Sequence, residues 1–352
     1  MIRILSIDGG GIRGILPGQV LVSLEKKIQQ KTNNPNARIS DYFDLFAGTS
    51  TGGILTCALL APDVIDPTRP KLTAQGAVDL YLKQGGEIFK KTTRKKFTSI
   101  FGLADEVYDE KNIEKVLKDV FGDIKLSQLL KPCFITSYDI FRRQAHFFAQ
   151  HDAKENEGYD FPVVDVCRST SAAPTYFEVS KATSSTGVEY PLVDGGVYVN
   201  NPSLCAYAEA CSIFKKPGGK VNVTADDIFI LSLGTGTEKK PYQYKKAKDW
   251  GKVEWIVPLI DIMMSGVSET VSYQLQQIYK AIGRPDQYVR IQPIIGDADT
   301  EMDDATPTNL NALRMAGTES AEINENLLDR VVATITATED VKPTVASTVH
   351  SI

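Results

Sequence analysis

The run Gly48-Thr49-Ser50-Thr51-Gly52 interrupts an otherwise apolar stretch, with YFDLFAG leading in at 42–48 and ILTCALL leading out. G-x-S-x-G between a strand and a helix is the spacing of a nucleophile elbow, where small neighbours allow a strained turn that leaves the Ser50 hydroxyl projecting. The chemistry would be attack on an acyl carbonyl through a covalent acyl-enzyme, and a serine at its free pKa needs a base beside it for that. The competing use of the same residues is Ser50 as the N-cap of an ordinary helix.

A base is not obvious. The chain holds His146, His151 and His350. His146 lies inside the apolar run AHFFAQ, His151 follows in a polar turn and His350 sits in the final residues, so none occupies the ordered late loop where an α/β-hydrolase keeps its histidine. Asp194 is the better candidate. It closes EYPLVD and precedes Gly195 and Gly196, which open space before a carboxylate that could take the serine proton directly. An ordinary aspartate is ionised but weakly basic at neutral pH, so partial burial is needed to raise its basicity. Read alone, Asp-Gly-Gly is also a common turn.

DGGGIRG, residues 8–14, places Gly9, Gly11 and Gly14 in G-x-G-x-x-G spacing. Such a loop can cradle a dinucleotide phosphate. It can equally aim backbone N–H groups at an oxygen that becomes negative during acyl transfer, or simply turn tightly. A nucleotide site expects an acidic residue closing a second strand about 20 residues past the loop; here the next strand ends in AGTSTGG. Arg13 either adds positive charge nearby or pairs with a surface carboxylate.

These residues require rigid elements behind them. IRILSID (2–8) reads as a buried strand, GILPGQVLVSLEKKIQQK (14–31) as a helix with Val20, Leu21, Leu24 and Ile28 on one stripe, YFDLFAG as a strand and TGGILTCALL (51–60) as a helix. Strand and helix alternating in this way is the rhythm of a parallel sheet covered on both faces. Residues 74–121 read as largely helical, and 132–140 and 144–150 as strands. A short helix follows around 163–171, then a strand at 189–196. Pro202–Phe214 reads as a helix that Asn201 can cap, 227–236 as a strand, and 249–282 and 308–336 as helices.

The bulk numbers fit a globular chain: 352 residues, 42% hydrophobic, with 39 Lys and Arg against 44 Asp and Glu for a net charge of −5. No global basic field attracts nucleic acid. Five scattered cysteines without CxxC spacing fit buried free thiols in a reducing compartment and offer no metal set. The first residues do not form a signal peptide, and no apolar run reaches the ~18 residues of a spanning helix. Membrane contact would have to be local. TTRKKFTSIFGL (92–103) and 239–264 both mix lysines with aromatic and aliphatic residues, as interfacial segments do and as solvated loops also can.

Taken in order, DGGGIRG, GTSTGG, SAAPTYF (171–177), DGGVYVNNP (194–202) and LSLGTG (231–236) resemble the blocks of the patatin-like phospholipase family, in particular a bacterial member. The resemblance is strongest over residues 1–240. It implies a three-layer α/β fold with a mainly parallel central sheet and helices on both faces, as a single domain over 1–335 with 336–352 as a tail. It implies hydrolysis of acyl esters in polar lipids by a Ser50–Asp194 dyad, with an oxyanion hole drawn from Gly9, Gly10, Gly11 and Thr51. Asp8, Arg13, Gly14, Gly48, Gly52, Gly195 and Gly196 support the motifs. No cofactor or metal is expected, the partner is a lipid aggregate, and the location is cytoplasmic, peripheral at the membrane. A nucleotide-binding protein, or an effector switched on by a cyclic nucleotide, is the alternative.

Overall fold

The computed structural model describes residues 1–89, 108–216, 221–236, 241–252, 254–337 and 344–345. From the N-terminus run β1 (Ile2–Ile7), α1 (Ile15–Thr32), β2 (Leu45–Thr49), α2 (Thr51–Leu60), α3 (Ala74–Ile88) and α4 (Glu110–Phe121). Then come β3 (Cys133–Asp139), β4 (Gln144–Ala149), α5 (Gln150–Glu155), α6 (Val163–Thr170), β5 (Ser180–Thr183), β6 (Glu189–Asp194), α7 (Gly196–Val199) and α8 (Ser203–Ile213). The chain continues through β7 (Phe214–Lys215), β8 (Ile228–Leu233), α9 (Tyr244–Ala247), α10 (Ile256–Ala281), β9 (Tyr288–Ile291), α11 (Pro307–Ile323), α12 (Glu325–Ile335) and β10 (Thr344–Val345).

β9, β8, β1, β2 and β3 lie side by side and parallel, as strands linked by helical crossovers must. Along β1, Ile2 and Ile4 enter one apolar core with α8 and α10, while Leu5 and Ile7 enter the other with α1, α2 and α11. That period-two split is why the strands read as continuous apolar runs: both faces are covered. The fold is a three-layer α/β architecture, a mixed sheet of mostly parallel strands between helical layers.

The register of β3 decides the rest. One edge of β3 carries β4, antiparallel, from Phe134↔Ala149 to Asp139↔Gln144. The other edge is shared: β2 occupies it up to Thr136↔Thr49, and β6, antiparallel, takes over at Ser137↔Asp194. The end of β2 and the end of β6 therefore meet at adjacent residues of a third strand.

Several sequence expectations change at their boundaries. β2 begins only at Leu45; just before it, Arg3 N–H donates to Asp44 Oδ2 at 2.9 Å. The 308–336 helix breaks into α11 and α12 at Asn324. The cap of α8 is shifted by one: Asn201 Oδ1 accepts from Ser203 N at 3.0 Å while Pro202 holds the cap position. β5 and β9 have no counterpart in the sequence reading; they are four residues each, too short for a period to register. Of the expected tail, Thr344–Val345 pairs with Phe214–Lys215, and 338–343 and 346–352 lie outside the described residues.

Candidate active site

Ser50 sits between β2 and α2 at φ 55°, ψ −123°, a conformation that costs a non-glycine residue of order 1–3 kcal/mol and persists only where its surroundings impose it. Those surroundings are visible. Ser50 N–H donates to Thr170 Oγ1 at 2.8 Å, and the Thr170 hydroxyl donates in turn to Thr136 O at 2.7 Å. Thr49 Oγ1 donates to Val199 O at 2.8 Å and accepts from Thr136 Oγ1 at 2.8 Å. α2 then leaves at once, so close to β1 that a Cβ on Gly52 would strike the Ile7 carbonyl. Gly52 is required by close approach.

Asp194, at the end of β6, is 3% exposed. Gly196 N–H donates to its Oδ1 at 2.7 Å, and the Ser50 side chain lies close enough to the same carboxyl to lower its pKa. Burial pushes the Asp194 pKa up to about 7, with Ser50 and the Gly196 hydrogen bond pulling it down against that rise. A carboxyl in this range is a far better proton acceptor near neutral pH than an ordinary aspartate.

The glycine loop is clamped on several sides. Asp8 Oδ1 and Oδ2 accept from Arg290 Nη1 and Nη2 at 2.8 and 2.5 Å. Arg290, on β9, also donates to Ser232 Oγ and Gln292 Oε1. Thr235 Oγ1 donates to Gly9 O at 2.6 Å, and Ile12 N–H donates to Met302 O at 2.9 Å. Gly11 adopts φ 58°, and a Cβ there would strike the Met302 carbonyl. Gly9, expected among the oxyanion donors, gives its N–H to Asn200 O at 3.2 Å, so it braces the loop. Gly10 and Gly11 N–H have no hydrogen-bond partner among the described residues, and Thr51 N–H belongs to the first turn of α2, whose amides a helix leaves open. A dinucleotide phosphate would need the loop's following amides, yet Ile12 and Arg13 N–H are used internally.

Gly11, Ser50, Thr51 and Asp194 share one cleft with Ser171, lined otherwise mostly by apolar side chains including Ile54, Tyr81, Phe89, Ile113 and Phe177. Burial draws the half-buried Arg13 guanidinium down, while Asp261 and Glu301 draw it back up, and its Nε donates to Gly10 O at 3.5 Å. Gly195 and Gly14 lie against Thr136 and Thr51, where a Cβ would collide. Gly48 is equally closed in by the Gly52 backbone, and Gly196 contributes both its amide and part of the cleft wall.

The histidines stand elsewhere. His146 is packed on β4 against Phe148, Phe161 and Tyr190, and burial lowers its pKa to about 4. It flanks β3 on the edge opposite Asp194. His151 Nε2 pairs with Glu209 Oε1 at 2.7 Å, and His350 lies outside the described residues. Among the described residues no His, Cys, Asp and Glu cluster could hold a metal, and no helix is long and apolar enough to cross a membrane. Cys57, Cys133 and Cys167 are buried free thiols. The 92–103 segment lies outside the described residues. Thr170, Arg290, Asn200 and Met302 were missed by sequence reasoning; only Arg290, a lone charge inside the apolar YVRI, left a signal.

A hydroxyl held in a strained turn against a buried carboxyl, at an apolar cleft, defines an arrangement suited to acyl transfer on an α/β scaffold. The model of the family described as patatin-like phospholipase matches residues 5–206. Patatin group D-2 of Solanum tuberosum is 33% identical over 345 residues, covering 95% of this chain and 85% of its own. Patatin-like protein 1 of Arabidopsis thaliana is 34% identical, covering 90% and 80%. Among solved structures, VipD from Legionella pneumophila aligns over 94% of this chain and 67% of its own at 11% identity and a TM-score of 0.38, so the assignment rests on the sequence matches. The chain belongs to the patatin-like phospholipase family and is a lipid acyl hydrolase.

Proposed function

We propose that the protein hydrolyses acyl ester bonds of polar lipids, of phospholipase A or lysophospholipase type, through a Ser50–Asp194 dyad. Ser50 Oγ attacks the ester carbonyl as its proton passes to an Asp194 carboxylate. The carbonyl oxygen becomes negative and is met by the N–H groups of Gly10, Gly11 and Thr51. The tetrahedral intermediate collapses, the Oγ–acyl bond remains, and the leaving alcohol takes the proton from Asp194. Water then attacks the acyl-enzyme, giving its proton to Asp194; the Oγ–acyl bond breaks as Ser50 Oγ takes that proton back, and the fatty acid leaves. The acyl chain lies along Ile54, Tyr81, Phe89 and Phe177, apolar side chains that leave it no polar competitor.

The observation that carries this reading is that Ser50, held in a strained turn, and the buried Asp194 carboxyl line the same apolar cleft, with burial pushing the Asp194 pKa up to about 7. Products released from a mixed lipid extract, followed by mass spectrometry, test it. Ser50→Ala and Asp194→Asn are expected to abolish fatty acid release, and a fluorophosphonate is expected to label wild-type protein and not Ser50→Ala. Full activity in either variant overturns the dyad.

A further inference from the structure

α10 carries two apolar stripes side by side over its first turns. Ile260 and Met264, one turn apart, line the cleft that holds Ser50 and Asp194. Leu259, Ile262 and Met263 lie around the helix from them, with 48%, 44% and 40% of their surface exposed, and Trp255 continues this second stripe one turn earlier at 41%. Single exposed aliphatic residues are ordinary on a protein surface. A contiguous exposed apolar run that merges with the wall of a cleft points to an interaction surface.

The run extends beyond the helix. Trp250 packs edge-on against Trp255 with ring centroids 5.0 Å apart, and Tyr242 against Trp250 at 5.3 Å. The Tyr242 hydroxyl donates to Asp261 Oδ2 at 2.9 Å, which ties this aromatic chain to α10. In the same stretch of chain, Lys245, Lys246, Lys248 and Lys252 are exposed. Across 244–252 they are opposed by Asp249, and Glu254 and Asp261 follow within the patch, in a chain whose net charge is −5. α10 is also fastened to the loop after Asp194, since Asn200 Nδ2 donates to Ser268 Oγ at 3.2 Å.

We infer that this face, formed by Trp250, Trp255, Leu259, Ile262 and Met263 and preceded by the exposed lysines of 244–252, is the surface on which the protein docks to an anionic lipid bilayer. The inference rests on the cleft being the acyl site proposed above, and it adds the partner surface that delivers the ester. Rings and aliphatic side chains interleaved with lysines match both layers of an anionic membrane: the apolar groups reach the acyl boundary and the ammonium groups meet the headgroups. The exposed stripe runs into the cleft wall. A protein partner seated there would cover the mouth, whereas a bilayer supplies substrate across the same edge.

The chain's two tryptophans both lie in this patch, so their emission reports on it alone. Ser50→Ala protein is titrated with vesicles of phosphatidylcholine, with and without phosphatidylglycerol, some carrying bromine-labelled acyl chains. Expected are a blue shift, quenching by bromine, and tighter partition with phosphatidylglycerol. Leu259→Gln combined with Met263→Gln is expected to weaken partition about tenfold or more, with circular dichroism unchanged. Lys245→Glu with Lys246→Glu is expected to remove the preference for phosphatidylglycerol. Emission unmoved and unquenched on either vesicle overturns the inference, as does undiminished partition of the folded Leu259/Met263 variant. A dimer in solution that the same variant converts to monomer also overturns it, because the occupant is then a second copy. Hydrolysis of a dissolved ester by wild-type protein without vesicle binding sinks the docking surface and leaves the dyad standing. Vesicle binding by a wild-type protein that cleaves nothing does the reverse.

Discussion

In the proposed mechanism the Asp194 carboxyl can serve as base only because it is buried. Its pKa rises from the ordinary 3.8 to about 7, so the proposed proton acceptor is half ionised near neutrality and fully ionised above it. kcat/KM for ester hydrolysis is therefore expected to climb with pH through about 7 and level off above it; a flat profile between pH 5 and pH 8, about one unit or more on either side, counts against Asp194 as base. The same shift sets a stability effect. A group whose folded pKa is raised stabilises the fold fully below its unfolded value and loses that contribution as pH climbs through the folded value. Ionising Asp194 in place costs up to roughly 4 kcal/mol, from about three units at 1.36 kcal/mol each. Asp194→Asn is thus expected to gain stability relative to wild type as pH rises from about 4 past about 7, read by urea unfolding at several pH values.

At the scale of elements, the site is a meeting of strand ends. β2 and β6 share an edge of β3, which sets Thr49 beside Asp194 through Thr136 and Ser137. α6 contributes Thr170, whose hydroxyl holds the Ser50 amide in its strained turn. β9 contributes Arg290, which pairs with Asp8 and so fixes the strand end from which the glycine loop departs. Arg290→Met leaves the Asp8 carboxylate buried and unpaired, and it is expected to cost about 3–5 kcal/mol of unfolding free energy. Adding Asp8→Asn to Arg290→Met is expected to recover part of that loss. If Arg290→Met unfolds at the wild-type denaturant concentration, the pair is not what holds the loop.

Over the whole molecule, the docking surface inferred above places an acidic chain against an anionic bilayer by one local face, where the exposed lysines of 244–252 would supply the attraction against a net charge of −5. Vesicle partition is expected to fall several-fold as salt rises from about 0.1 M to about 1 M, where the Debye length contracts from ~10 Å to ~3 Å. Hydrolysis of a dissolved short-chain ester, which needs no docking, is expected to change little over the same range. Partition indifferent to salt would leave the apolar stripe as the sole source of affinity.

The alternation of apolar strand and helix around DGGGIRG and GTSTGG was legible directly, because both periods and both glycine breakers are local properties of a few consecutive residues. Ser50 was legible for the same reason: its strain and its small neighbours are written within five positions. Asp194 could be named from its strand end and two glycines, but its rise in pKa could not, since burial depends on which surfaces close over it. Thr170 and Arg290 left almost no trace, because a hydroxyl or guanidinium acquires its role from a partner far along the chain. Sequence determined the strands, helices and turns around DGGGIRG and GTSTGG; tertiary structure decided which turns face one another, because edge sharing on β3 is a long-range register that no local pattern encodes.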